Sequence, residues 1–448
     1  MLTRLAVAVL CSLSAIGAQE APKVVSMTPA PGAEVDAKTL KEVVVVFDRK
    51  MSRTGFSICG GGDTFPKLKG GFRWKDDTTL VADVELEPDH EYHMSINSPS
   101  FQNTRGADGT PVEPTPWSFT TLPAKARPAA EQKARNKQAL ALLMKELPTR
   151  YSYYDLRVKD WGKLEKQHAP AILATRTDRG FAAAVGEMLR ATEDIHVWLK
   201  LGDQTFAGGR RSVDSLFRRE QIDRHVRVAP VGPQALAGRT GDGIGYLMIG
   251  GWTNEVDPEA IGRAITDLAD THAMVIDVRP NSGGDEGLAQ KVAAWFVDGT
   301  KTYAKNRYRE RPGKDGFGAV YERKITGNPD KRRYDKPIAV LTSRYVMSSN
   351  ESFVMMLQQA KDCVVVGQPT FGSSGNPKPV ELSNGVTVYL SSWQDLRLDG
   401  TPFEGEGLKP DVEVPCTSKD LESGDPILGK ALELLRAKVG GEMKGDGK

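Results

Sequence analysis

Cysteine is scarce: four in 448 residues. Cys11 falls in an N-terminal apolar stretch, which leaves Cys59, Cys363 and Cys416. Three thiols make no disulfide framework, and no pair stands at the spacing of zinc ligands. A Cys363–Cys416 bridge stays open, because spacing alone does not decide it. Histidine is almost as scarce, with six residues, so any chemistry that needs an imidazole has few candidates. Neither charge sign predominates, with 60 Lys and Arg against 58 Asp and Glu. That balance gives no reason to expect nucleic acid or an anionic membrane as the main partner. Arg210, Arg211, Arg218, Arg219 and Arg224 form a local basic stretch, which reads as a solvated face. Long apolar runs are missing after the N-terminus, so no later segment is expected to span a bilayer. No internal repeat is visible.

What is present begins with an export pattern. Arg4 precedes an apolar run from Leu5 to about Ala15, and small residues follow before Gln19 and Glu20. This is the pattern of a secretory signal peptide over residues 1–18. Leu10 before Cys11 argues against a lipid anchor. The remainder is therefore expected to reach the periplasm or the exterior. The chain is too long for one ordinary core, so roughly two or three domains are expected.

Residues 24–122 read as an all-β sandwich. Val43 to Phe47, Thr79 to Val84, Tyr92 to Ile96 and Trp117 to Thr121 are strand-like, and Gly, Pro and Asp clusters separate them. The segment resembles bacterial Ig-like domains through Thr28-Pro29-Ala30-Pro31-Gly32-Ala33, Phe47-Asp48-Arg49-Lys50-Met51, Trp74 and Ser118-Phe119-Thr120-Thr121. Such a module implies a spacer or binding role. His90 and His93 lie here as surface residues.

A linker over Pro123 to Pro128 leads to a small helical bundle at 129–198. Ala139, Leu142, Leu143 and Leu147 share one helical face, and Phe181, Val185, Met188 and Leu189 share another. His168 belongs to this part as a structural residue. An α/β core follows at 199–435, and a flexible polar tail at 436–448. Ile244 to Ile249, Ala273 to Val278, Pro337 to Leu341 and Cys363 to Val366 read as strands. Helical segments alternate with them, one opening at Asp257-Pro258 and another at Asp285 or Glu286. Alternation of this kind builds a mostly parallel sheet. Val386 to Leu390, after the Asn384-Gly385 turn, is expected to add an antiparallel hairpin.

In a parallel sheet the loops at the carboxyl ends of strands converge on the site. One such loop carries Ser348 and Ser349 before a helix, where unpaired N–H groups favour an anion. The other is Arg279-Pro280-Asn281-Ser282-Gly283-Gly284, whose paired glycines let backbone approach a ligand. A serine needs a base. His272 stands at the wrong end of its strand and His225 lies in the basic stretch. His196 stands where a helix gives way to a strand. Glu404 and Glu406, in a glycine-rich loop, are the candidate carboxylates.

Four stretches together resemble the family of tricorn proteases, C-terminal processing peptidases and interphotoreceptor retinoid-binding protein modules. They are Met188-Leu189 with Asp194-Ile195-His196, Asp277 to Gly284, Ser348-Ser349-Asn350-Glu351, and Glu404 to Asp411. The resemblance spans roughly Ala139 to Val414 and implies a ClpP/crotonase-like α/β protease core. It implies Ser348 as nucleophile, His196 as base, and Glu404 as the group that orients it, directly or through another polar group. Glu406 is the reserve. The oxyanion donors implied are Gly283 or Gly284 and Ser349. Two departures separate the chain from the Ser–Lys processing peptidases. Ser373 stands at the position of their lysine, with Lys378 out of register. The interval from Leu199 to Gly243 is too short for their PDZ module. Both departures point to the tricorn-like branch. The expected activity is peptide-bond hydrolysis on a polypeptide substrate, with no metal or organic cofactor implied and no oligomeric state indicated. A binding module that keeps the serine as a helix cap, and a Ser–Lys peptidase using Lys378, are the competing readings.

Overall fold

The computed structural model describes residues 20–207, 212–329 and 333–445. The expected signal peptide, Arg210 and Arg211 lie outside the described residues. The chain divides into two compact units. The first runs to Lys133 and includes Ala174–Gly180; the second comprises Ala134–Leu173 and the chain from Phe181 onward.

The described residues of the first unit form nine short strands: β1 (Val24–Thr28), β2 (Glu34–Val35), β3 (Glu42–Phe47), β4 (Ile58–Cys59), β5 (Lys67–Leu68), β6 (Arg73–Trp74), β7 (Thr79–Glu85), β8 (Glu91–Ile96) and β9 (Thr115–Thr121). They pair in two sheets, β1-β3-β7-β5 with β6 also on β7, and β2-β9-β8-β4. In β3 every second residue, Val43, Val45 and Phe47, is buried. Those side chains share one core with Leu80 and Ala82 of β7, Met94 of β8 and Trp117 and Phe119 of β9. One apolar face per sheet, closed against the other, is the two-layer solution expected of alternating strands. Pairing is antiparallel throughout except between β2 and β9.

Next come α1 (Ala129–Arg150), α2 (Tyr154–Arg157), α3 (Trp161–Ala174), α4 (Asp178–Leu189), β10 (Trp198–Leu201) and β11 (Gln204–Ala207). The rest comprises α5 (Arg219–Ile222), β12 (Arg227–Pro230), β13 (Ala235–Arg239), β14 (Ile244–Ile249), α6 (Pro258–Asp267), β15 (Ala273–Asp277), α7 (Glu286–Ala293), β16 (Thr300–Arg309), β17 (Phe317–Thr326), β18 (Ile338–Thr342), α8 (Ser349–Leu357), β19 (Cys363–Gly367), β20 (Pro377–Glu381), β21 (Thr387–Ser391), β22 (Trp393–Leu396), β23 (Val412–Glu413) and α9 (Pro426–Gly445).

The central sheet runs β12-β13-β14-β15-β18-β19-β23. From β14 to β23 it is parallel, and β12 and β13 join antiparallel at one edge. Every residue of β14, β15 and β18 is buried, as strands covered on both faces must be. Asp257 caps α6 by accepting from the N–H groups of Glu259 and Ala260, with Pro258 in the first turn. Asp285 caps α7 in the same way, accepting from Gly287.

The helices do not close a core on themselves, as a self-contained bundle would. Leu143, Leu147, Phe181, Val185 and Met188 are buried together with Leu199, Val380, Val388 and Leu390 of the sheet β11-β10-β21-β20. The amphipathic stripes needed a partner, and a distant hairpin, β20–β21, supplies it. The tail is corrected too: α9 carries residues 436–445 as helix, with Leu432 and Leu435 buried against the central sheet's core. Cys363 and Cys416 are free thiols, so no bridge joins them. Of the basic stretch, Arg218 pairs with Asp214 and Arg219 with Asp223, at a partly exposed surface. No described helix is long and apolar enough to cross a membrane.

Candidate active site

The loops after β15 and β18 meet at Ser348. Gly283 (φ 101°) leaves room for the elbow, since a Cβ there would come within 2.9 Å of both Met347 O and Ser348 Cβ. Only glycine combines that conformation with that approach. The Ser349 hydroxyl donates to Gly284 O at 2.6 Å, and Asn350 Nδ2 donates to Val278 O and Asn281 O. The two loops are therefore bonded to each other.

Ser348 has φ 55° and ψ −133°, a region that disfavours a side chain by about 1–3 kcal/mol. Its N–H is shared between Ser373 O at 2.9 Å and Glu351 Oε2 at 3.0 Å. Glu351 is fully buried and also accepts from the Thr370 hydroxyl and from the N–H groups of Gly372 and Ser373. Burial pushes its carboxyl up to about 7 even though those donors pull it down. One carboxylate thus ties the elbow to segment 370–373.

The Ser348 hydroxyl lies 3.2 Å from His196 Nε2. The other ring nitrogen, Nδ1, lies 2.9 Å from Ser373 Oγ. His196 is buried, and its N–H donates to Asp194 Oδ1 at 2.8 Å. Desolvation lowers its pKa below the usual imidazole value, opposed by the Asp194 charge. Asp194 itself is fully buried and accepts from the hydroxyls of Tyr151 at 3.0 Å and Ser391 at 2.9 Å. Its Oδ1 is 3.7 Å from His196 Nδ1.

Glu404 does not touch the imidazole. Its carboxyl takes 2.5 Å and 3.1 Å bonds from Arg157 and the Ser374 N–H, and burial pushes its pKa up to about 8 against the pull of Arg157. Glu406 is excluded as the reserve: its side chain is largely exposed and faces Arg397 at 3.9 Å. The group at Nδ1 is Ser373, which the sequence marks only as a missing lysine. Asp194 was equally missed as a partner, although the Asp-x-His spacing signals it. Lys378 is exposed on β20. Gly283 spends its N–H on Asn281 Oδ1 at 2.8 Å. Among the described residues, the N–H groups of Ser349 and Gly284 make no hydrogen bond. Of the remaining histidines, His93, His225 and His272 are exposed and His90 and His168 partly so. No group of three or more His, Cys, Asp or Glu that could hold a metal ion occurs among the described residues.

Residues 243–414 match the model of peptidase family S41. This stretch includes Gly283, Gly284, Ser348, Ser373 and Glu404, whereas His196 comes from upstream of it. The chain is 27% identical over 169 residues to carboxy-terminal processing protease CtpA of Bacillus subtilis, covering 36% of this chain and 34% of that protein. It is 31% identical over 142 residues to a probable CtpA-like serine protease of Staphylococcus aureus, covering 32% and 27%. The chain thus spans about a third of the length of the curated relatives it matches. A putative peptidase from Parabacteroides merdae shares the fold at a TM-score of 0.59 and 22% identity, over 67% of this chain and 96% of that one. Residues 243–414 are therefore similar to peptidase family S41, and the curated relatives that match are a carboxy-terminal processing protease and CtpA-like serine proteases.

Proposed function

We propose that the protein is an exported serine peptidase that cleaves polypeptides through an acyl-enzyme on Ser348, with His196 as the base. The observation that carries this is the 3.2 Å approach of the Ser348 hydroxyl to His196 Nε2 at a strained elbow. Such strain is retained where an atom must be presented. For Nε2 to accept a proton, Nδ1 must carry hydrogen, and Ser373 Oγ is the acceptor within reach. Burial keeps the ring neutral near pH 7, as a base requires.

His196 takes the Ser348 proton as the oxygen attacks a peptide carbonyl. Negative charge develops on the carbonyl oxygen, where the uncommitted N–H groups of Ser349 and Gly284 serve as donors. The imidazolium then protonates the departing amine, leaving the acyl-enzyme. Water, deprotonated by His196, releases the acid. Asp194 holds the backbone of His196 and opposes the desolvation of its charged form. The first unit serves as an Ig-like spacer or binding module, a reading carried by its strand pattern, and export follows from the N-terminal apolar stretch.

A fluorophosphonate probe with intact-mass detection tests the reading. One adduct at Ser348, absent in Ser348→Ala and His196→Ala, is expected. Folded protein that takes no adduct would instead be a binding module. A Ser–Lys enzyme would lose turnover in Lys378→Ala and keep it in His196→Ala.

A further inference from the structure

A third loop, after β14, reaches the elbow. It carries Trp252, which forms a parallel bridge with Gly284. The Trp252 N–H donates to Gly283 O at 3.0 Å, and the Asp285 N–H donates to Trp252 O at 2.8 Å. The approach is close: a Cβ on Gly284 (φ 133°) would come within 2.0 Å of Trp252 O. The Gly283 carbonyl and the Gly284 N–H belong to one trans peptide, so they point in opposite directions. A carbonyl held by Trp252 therefore aims the Gly284 N–H away from Trp252. That N–H is one of the two donors left uncommitted at the elbow among the described residues.

The Trp252 side chain is fixed as well. It is 1% exposed, and its ring centroid lies 4.7 Å from that of Phe353 on α8. A buried indole needs a partner for its N–H, and Nε1 donates to Asn350 Oδ1 at 3.2 Å. Asn350 is fully buried and is the second residue of α8. It follows Ser349, whose N–H is the other uncommitted donor. Asn350 Nδ2 donates to Val278 O at 3.1 Å and to Asn281 O at 2.9 Å, both past the end of β15. One amide thus uses its acceptor and both its hydrogens. It ties together the carboxyl ends of three neighbouring strands, β14, β15 and β18.

We propose that Trp252 and Asn350 are positioning residues of the oxyanion hole, holding the Gly284 and Ser349 N–H groups where a developing oxyanion needs them. This rests on the peptidase reading. Both side chains are buried, so they act through the backbone donors and not on substrate. Removing one such donor costs about 10²–10³ in kcat, and a displacement of about 1 Å forfeits much of that.

The test compares p-nitrophenyl acetate with its thiono analogue, in which sulfur replaces the carbonyl oxygen. Sulfur accepts hydrogen bonds weakly. The oxygen-over-sulfur ratio of kcat/KM therefore reads the oxyanion donors, while a lower folded fraction or a disturbed Ser348–His196 pair cancels. Trp252→Phe keeps a ring on Phe353 and removes the Nε1–H bond, so the ratio should fall about threefold or more. Asn350→Ala frees both loops from α8 and should lower it about tenfold or more. The two residues act through one bond, so Trp252→Phe/Asn350→Ala should be no worse than Asn350→Ala. A change of less than about threefold in Trp252→Phe overturns the proposal, whether or not Asn350→Ala folds. Losses that multiply in the double variant also overturn it. A wild type that takes no fluorophosphonate and hydrolyses neither ester removes the peptidase reading, and this proposal with it. A wild type active on both esters, with the ratio unmoved in the variants, overturns this proposal alone.

Discussion

Replacing Ser373 by alanine tests which group orients the base. Its hydroxyl is 2.9 Å from His196 Nδ1, and the ring is buried. During the reaction the imidazole becomes an imidazolium, so this contact becomes a hydrogen bond to a charged donor. Such bonds contribute about 1.5–3 kcal/mol. Ser373→Ala should therefore lower kcat roughly 10- to 150-fold, with KM little changed because the loss falls in the transition state. Water entering the small void, or Asp194 from 3.7 Å, would move the result toward the low end. Glu404→Gln is the paired measurement. Glu404 bonds Arg157 and the Ser374 N–H, so its amide should chiefly reduce stability. Steady-state kinetics on an unfolded polypeptide, alongside urea denaturation of each variant, separates the two. If Ser373→Ala stays within threefold of wild type while Glu404→Gln loses tenfold or more in kcat at unchanged stability, the assignment of Ser373 is wrong.

The acidic limb of the kcat/KM profile should fall below pH ~6.5, the ordinary imidazole value, because burial favours neutral His196; a limb above pH ~7 would contradict a desolvated base. Glu351 is raised from 4.5 to about 7 by burial. Its folded state holds the proton more tightly than the unfolded chain does, so its contribution is complete below pH ~4.5 and lost as pH rises to ~7. Relative to Glu351→Gln, wild type should therefore lose about 3 kcal/mol between pH 4.5 and 7 in urea titrations; a pH-independent difference would show that its four donors cancel the burial. Gly283→Ala would place a Cβ 2.9 Å from Met347 O and Ser348 Cβ, and should cost at least about 2 kcal/mol along with most of the activity. Arg279, fully buried between Asp277 and Asp425, should cost about 3–5 kcal/mol as Arg279→Met, since two buried carboxylates lose their counter-charge; a change under 1 kcal/mol in urea would count against that buried pairing.

Much of the central sheet was legible in the sequence. Ile244 to Ile249 is an unbroken apolar run in a β14 that coincides with it, and Asp257-Pro258 opens α6 as its capping chemistry dictates. The places of Ser348, Gly283 and Gly284 in the chain, each past a buried strand, were legible for the same local reason. The hairpin β16–β17 was not, since Thr300 to Arg309 mixes charged, polar and aromatic residues without clean alternation, and bulges interrupt its register. Nor was the continuation of α9 through residues 436–445, since Gly440 and Gly441 are poor helix formers.

What the chain's own order determined is therefore local: strands from apolar runs, helix starts from caps, and an elbow between a strand and a helix. Those follow from backbone hydrogen bonding and side-chain periodicity over a few residues. Which side chains share the site was decided only by the fold. Ser373 reaches His196 from 177 positions away, while Glu404, the carboxylate its glycine-rich surroundings suggest, is drawn instead to Arg157 on α2. A buried carboxyl must find donors, and the nearest cation is set by packing, which spacing along the chain does not encode.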